Sequence, residues 1–433
     1  MRKSIWPGLV PDSGSMVDWG TNQRVKGTDV MRLERISASK ALLAFALSLA
    51  VGAIACLGAQ AQTFKLVHSF AGGGTDGANP VAGLTIDSSG NLYGTTTSGG
   101  DYGHGSVFEL TNKGLKTVLH SFSGGQDGSD PEASLLLIGG NLYGTTTEGG
   151  PAGLGTVFEV TTAGKETVLY RFTNQAAGAQ PQASLAKDAA GNLYGTTYAG
   201  GKAGKGVVFK LTRPATGAGV WSEQVLYSFR TGADGANPVA GVNFDAAGNL
   251  YGTTSAGGKF GNGTVFRLTH STSGWTETIL HSFAMASDGG IPYAGIVVDS
   301  SGNLYGAATD GGQGGSAGGG TVFKLSPSGL GWNFKVLYTL PGWGISGSFR
   351  NLTLASGKIY ATTHCDGPDN AGTVFELTPA GGTWTYKPLH IFTGGSDGMF
   401  SFSNPVFDAQ GNLYGTTQQG GAYGNGVVFK IQP

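Results

Sequence analysis

Cysteine is nearly absent: Cys56 and Cys365 are the only two in 433 residues. If the chain is cut after Ala61, one thiol remains and no intramolecular disulfide can form. Charge is scarce as well, at 12% of residues, and the formal net charge is −1. Seven of the 26 Lys/Arg and four of the 27 Asp/Glu fall in residues 1–61, which leaves the remainder at −4. No run of Lys or Arg occurs, which argues against a nucleic-acid partner. No segment after residue 61 sustains the apolar length of a membrane helix. No helical period persists there either, and 79 glycines oppose long helices.

What the chain has instead is a repeat. Gly-Asn-Leu-Tyr-Gly occurs six times, with a degraded seventh copy at Gly357-Lys358-Ile359-Tyr360-Ala361. The tyrosines are Tyr93, Tyr143, Tyr194, Tyr251, Tyr305, Tyr360 and Tyr414, spaced by 50 to 57 residues. A unit of that length cannot bury its own faces, so copies must stack. The first copy reads as four short runs bounded by turns. They are Val81 to Ile86, Leu92 to Thr97, Val107 to Leu110 and Thr117 to Phe122. Val, Thr, Phe and Tyr dominate these runs, as strands require. The expected fold is all-β: a seven-bladed β-propeller of four-stranded antiparallel blades. Phe64 to Phe70 matches a fourth strand, and Val427 to Ile431 a third. The N-terminal strand should therefore pair into the last blade and close the ring without an open edge.

The side-chain alternation puts Leu92, Gly94 and Thr96 on one face of a blade and Tyr93 and Thr95 on the other. Tyr93 is expected against the next sheet near Phe108, with Gly94 permitting close approach. Asp87-Ser88-Ser89-Gly90-Asn91 reads as a tight turn, with Asp binding turn amides and Gly at positive φ. Three segments follow. Residues 1–30 look like an over-extended start ahead of Met31; 31–61 form a signal peptide cleaved after Ala59-Gln60-Ala61; 62–433 form the propeller. The protein is expected in the periplasm or outside the cell. Ala53-Ile54-Ala55-Cys56 offers a weaker lipobox alternative through Cys56.

The combination of Asp-Gly-x-x-Pro, Asp-x-x-Gly-Asn-Leu-Tyr-Gly-Thr-Thr and Gly-Gly-x-x-Gly-x-Gly-Thr-Val-Phe resembles the Gloeobacter/Verrucomicrobia repeat of exported bacterial proteins. The match covers residues 63–433. The resemblance implies export but no activity. Members often carry a C-terminal anchoring tail, which is not expected after Ile431-Gln432-Pro433. The first strand pair is also similar to the NHL repeat, another propeller blade.

No catalytic signature emerges. The candidate binding residues are Asp76, Asp127, Asp234, Asp288 and Asp397, one per Asp-Gly loop, which could ring one mouth and bind calcium or sugar hydroxyls. Asp-Gly is equally ordinary turn chemistry. The Asp87, Asp188, Asp245, Asp299 and Asp408 set should lie on the opposite face. His68, His120, His281 and His390 share a position with Tyr170, Tyr227 and Tyr338, which reads as a packing site. Trp221, Trp275, Trp332 and Trp384 should cover sheet edges. Tyr102, Phe260 and Tyr423 in the glycine loops could stack on a sugar. The sixth copy breaks the pattern at His364-Cys365-Asp366-Gly367-Pro368-Asp369, making His364, Asp366 and Asp369 further candidates. No metal or other cofactor is required, calcium being the one considered. The expected function is a monomeric binding module for a glycan or protein partner through the loop face. The alternatives are a lyase or hydrolase with a site at the mouth, and a structural cell-surface module.

Overall fold

The computed structural model describes residues 62–432 apart from 216–218, 231, 313–317 and 341–351. The leader and start-site readings, Cys56 included, lie outside the described residues. Seven four-stranded antiparallel sheets form the blades of a β-propeller. The first blade runs from the axis outward as Thr85–Ile86, Leu92–Thr96, Ser106–Leu110 and Lys116–Ser121. The last blade is composite. Its inner three strands are Val406–Phe407, Leu413–Thr417 and Val427–Gln432. Thr63–Ser69 is its outer strand, in antiparallel register from Thr63 opposite Gln432 to Ser69 opposite Val427. The first strand of the propeller thus occupies the open edge left by the last.

The inner ladder is shorter than the apolar run suggested, with two paired residues in the first blade. Pro80 lacks an amide hydrogen, and the segment after it bonds across to the neighbouring blade instead. The first threonine of Tyr-Gly-Thr-Thr makes that bond. Thr416 Oγ1 donates to the Ala82 carbonyl at 2.7 Å, Thr196 to Ala240 at 2.9 Å and Thr253 to Ala294 at 2.8 Å. The hydroxyl explains why threonine rather than valine recurs there: it satisfies a carbonyl that the ladder leaves orphaned.

The core lies between blades. Phe70, at the end of one outer strand, packs edge-on against Phe108 in the third strand of the next blade, with ring centroids 5.2 Å apart. The same pair recurs as Phe122–Phe158, Phe172–Phe209, Phe229–Phe266 and Phe392–Phe429. Tyr93 packs toward the next sheet, with Leu135, Leu142 and Phe158. Phe108 lies on the other face, contrary to expectation, with Phe70, Leu84 and Val428. What Gly94 admits is its own blade's Phe108: a Cβ there would fall 2.6 Å from Phe108 Cζ.

The tryptophans also differ from expectation. Each wedges between blades beside the preceding blade's repeat tyrosine. Trp332 meets Tyr251 at 5.9 Å, and Trp221 shares a cluster with Tyr143. Burying the ring between sheets removes more apolar area than capping an edge would.

The Asp turn behaves as its sequence implies. Asp87 Oδ1 accepts from the Ser89 and Asn91 amides at 2.8 and 2.9 Å, with Gly90 at φ 82°. Its Oδ2 accepts from the Tyr93 hydroxyl at 3.1 Å, and Asp188, Asp245, Asp299 and Asp408 bind their own tyrosines likewise.

Candidate functional site

The Asp-Gly loops and the paired-glycine loops share one face of the ring. Gly100 donates its amide to the Gly73 carbonyl at 3.0 Å, tying the two kinds of loop together. The five loop aspartates sit on this face but do not gather. Each is held at its own joint between blades, against an outer strand. His68, His281 and His390 approach Asp76, Asp288 and Asp397 through Nε2 at 3.0, 3.1 and 3.0 Å. Tyr227 donates its hydroxyl to Asp234 Oδ2 at 3.1 Å. His120 Nε2 lies 3.3 Å from Asp127, off the hydrogen-bond direction. The His/Tyr position is therefore not packing alone. Both side chains put a donor at the same distance from the strand, and the aspartate accepts from either. In the third copy, where Ala177 replaces the aspartate, the strand position holds Tyr170 and the loop offers it no carboxylate.

Each aspartate also accepts a backbone amide, as from Ala71 at 2.7 Å and Arg230 at 2.9 Å. Burial alone would raise the Asp76 and Asp127 carboxyls. Those amides and the neighbouring side chains outweigh it and hold both below the ordinary carboxylate range. Burial pushes the His120, His281 and His390 imidazoles down, with the adjacent carboxylates opposing. Among the described residues, no three His, Cys, Asp or Glu side chains come together as a metal site.

A third residue completes each joint from the next outer strand. Lys116 Nζ reaches Asp76 Oδ1 at 2.6 Å. Phe334 stacks on His281 at 3.7 Å, and Phe64 on His390 at 3.8 Å. Glu166, Glu223 and Glu277 occupy the same register position and are half-buried. Burial raises Glu166 and Glu223 to about 7. Burial and the nearby Asp234 raise Glu277 to about 8.

The irregular sixth loop is split by the fold. His364 turns toward the axis and stacks on Phe402 at 4.1 Å. Asp366 accepts the Thr363 hydroxyl and lines a cleft with Tyr386, Pro388 and Ile391 on the outer side. Asp369 is exposed. Cys365 is half-buried, and burial together with Asp366 pushes its thiol up. The structure thus separates His364 from Asp366 and Asp369.

The axial channel carries a feature the sequence reading missed. Asn404 of the seventh blade reaches over Gly83 of the first to Ser134 of the second, whose Oγ donates to Asn404 Oδ1 at 3.2 Å. A Cβ on Gly83 would fall 1.9 Å from Asn404 Oδ1, so only glycine admits that side chain. The constriction encloses about 20 Å³, and toward the opposite face a chamber of about 390 Å³ opens along the inner strands. On the loop-face side, six copies place one residue each at the rim: Val81, Glu132, Gln182, Val239, Tyr293 and Phe402. The signal was present. Five of these follow a proline and precede a constant alanine, as in Pro131-Glu132-Ala133 and Pro292-Tyr293-Ala294. Between that proline and that alanine the residue changes from copy to copy.

Ring closure, blade count and a variable axial rim define a seven-bladed β-propeller built from tandem repeats. The chain belongs to the Gloeobacter/Verrucomicrobia repeat family, whose model matches residues 46–246, 177–340 and 312–433. No functionally curated protein matches it. Among solved structures, it is similar to the polysaccharide lyase PL25-ulvanlyase, at 12% identity over 84% of this chain and 95% of the other, with a TM-score of 0.51. The same lyase bound to -[GlcA(1-4)Rha3S]- gives 13% identity, coverage of 84% and 95%, and a TM-score of 0.50. A putative 6-phosphogluconolactonase from Bacteroides uniformis ATCC 8492 gives 17%, 75%, 88% and 0.46. At these identities, the likeness concerns the fold. Among the described residues, no helix is long and apolar enough to cross a membrane.

Proposed function

We propose that this protein is an exported binding module that takes a glycan, or a protein partner, through its loop face, with a glycan the reading the geometry supports best. The axial rim carries this reading. Tyr293 offers a ring face to the C–H face of a sugar and Phe402 the face that is not stacked on His364, while Glu132 and Gln182 offer acceptors and a donor to its hydroxyls. A few polar groups set among apolar walls are the usual composition of a ligand site. Among the described lining residues of the constriction, Glu132 is the single carboxylate, whereas glycoside hydrolysis ordinarily uses a pair. That favours binding over hydrolysis. A propeller of similar fold holds a sugar, which agrees with this reading without carrying it.

The test is a glycan array probed with purified residues 62–433, repeated with Gln182→Ala/Tyr293→Ala. The expected result is binding to a restricted set of oligosaccharides that the double variant loses while melting at the same temperature. Absence of binding to every glycan on the array overturns the glycan reading. Export rests on residues 31–61 and is tested by intact mass of the secreted protein, expected to begin at Gln62. A lipidated chain starting at Cys56 overturns that cleavage site.

A further inference from the structure

We propose that the seam between the seventh and first blades carries a second carbohydrate subsite, where Tyr102 and Tyr423 stack on sugar rings on either side of the bare Gly72–Gly74 backbone. The proposal rests on the glycan reading above and adds a site and a ligand class to it.

Tyr102 and Tyr423 occupy the same position in the paired-glycine loops of adjacent blades, and each is 63% exposed. Neither ring makes a hydrogen bond or ring contact with any described residue. Phe260 stands at the same position in the fourth blade, but the Lys259 ammonium already lies 5.1 Å from its ring centroid. The second and third blades carry Ala152 and Ala203 there. The seam is thus the place where two such rings are neighbours.

The strap between them has no side chains. Gly72, Gly73 and Gly74 follow one another, and a Cβ on Gly73 would meet nothing within 4 Å. Asn425 borders one end of this floor and Asp101 the other. Added Cβ atoms on Gly72 and Gly74 would lie 2.9 Å from Asn425 Nδ2 and 3.1 Å from Asp101 Oδ1. A floor of bare backbone leaves room for a flat ring to settle between two aromatic walls. Asp101 and Asn425 then face its hydroxyls.

The two loops are also fixed relative to one another. Gly100 of the first-blade loop donates to the Gly73 carbonyl at 3.0 Å, and Asn79 donates to the Asn425 carbonyl at 2.8 Å. Both loops are hydrogen-bonded to the one segment that runs from Gly73 to Asn79, so their backbones keep their spacing without ligand, which lowers the ordering cost of binding. The charged group at this floor is a carboxylate. It accepts from hydroxyls and repels an anionic sugar, so the ligand is an uncharged oligosaccharide.

The test uses calorimetric titration of residues 62–433 with cellohexaose, laminarihexaose, mannohexaose and hexagalacturonate. The expected result is that an uncharged hexasaccharide binds. Tyr102→Ala/Tyr423→Ala should weaken it about tenfold, and Phe260→Ala less than about twofold. The substituted side chains are exposed, so the melting temperature should not move and serves as the folding control. Binding that survives the double substitution, but is lost in Gln182→Ala/Tyr293→Ala, overturns the seam and leaves the proposed function standing. Failure of every oligosaccharide to bind wild type overturns both. Tighter binding of hexagalacturonate than of the uncharged chains overturns the ligand class.

Discussion

The ring of Phe64 stacks on the imidazole of His390, with centroids 3.8 Å apart and planes 15° from parallel. Phe64 belongs to the first strand of the propeller and His390 to the outer strand of its sixth blade. The contact therefore joins the first strand of the propeller to a segment more than 300 residues later. Phe64 also meets Phe392 at 6.2 Å and Phe429 at 5.9 Å. Leu66, two residues on, sits opposite Phe429 in the closing ladder, but its side chain is 45% exposed.

Phe64→Ala should therefore destabilise the whole ring by about 2 kcal/mol, whereas Leu66→Ala should be near neutral. Deleting Thr63–Phe70 should do more, because Val427–Gln432 becomes an unpaired edge and aggregation follows. Differential scanning calorimetry of the three variants checks this. A deletion variant that melts like wild type would contradict closure through the first strand.

The loop aspartates should not respond alike to Asp→Asn. In Asp288→Asn the side-chain carbonyl still accepts from His281 and the Ala284 amide, so that change should cost less than about 1 kcal/mol. Asp76 is different because the Lys116 side chain beside it is only 8% exposed. Asp76→Asn strands a buried ammonium and should cost about 3 kcal/mol. Chemical denaturation of the two variants distinguishes them, and equal losses would refute the ordering.

Stability should depend on pH through the buried glutamates. Folded Glu166 and Glu223 keep their protons to about pH 7 and Glu277 to about pH 8, against an ordinary value of 4.5. Between those limits, the folded chain binds more protons than the unfolded one, so stability falls as pH rises. His120, His281 and His390 act in the other direction. Their lowered values favour the neutral ring in the fold, so stability falls as pH drops below 6.5. The two effects oppose one another in mildly acidic solution, and above it the histidines no longer contribute. The melting temperature should decline from about pH 6.5 to pH 8. Glu166→Gln/Glu223→Gln/Glu277→Gln should abolish that decline, because the amide mimics the protonated acid. A triple variant with the wild-type pH profile would rule the glutamates out.

Gly94→Ala should cost about 2 kcal/mol despite adding one carbon, because that carbon falls on the Phe108 ring and the packed joint cannot yield. Phe108→Leu in the same chain should restore part of the loss, and thermal melts of the single and double variants measure it. Full additivity would show that the two residues are not in contact.

Blade count, the outer three strands of a blade, the Asp turn and ring closure were legible in the chain, because each depends on local chemistry repeated from copy to copy; the inner strand was not, since its ladder shrinks to Thr85–Ile86. Gly90 at positive φ and Asp87 binding the turn amides within four residues are properties of the turn itself. The matched strand sequences at the two ends specify closure for the same reason. At the His/Tyr position the sequence shows the packing but not the carboxylate, because that partner lies seven or eight residues away across a loop whose path the sequence does not specify. Phe108 was assigned to the wrong face, because alternation orders residues within a strand and does not say which neighbour each face meets.

What the sequence by itself determined is the repeating unit: its strands, its turns and the number of copies, all governed by short-range backbone preferences and alternation. What only the tertiary structure decided is which residues meet between copies. Glu132, Gln182, Tyr293 and Phe402 stand about 50 residues or more apart in the chain, as do Tyr102 and Tyr423. They share a rim and a seam only because the ring closes, and closure depends on all seven joints packing at once. A site assembled one residue per blade leaves no contiguous motif, so its chemistry becomes visible when the blades stand around a common axis.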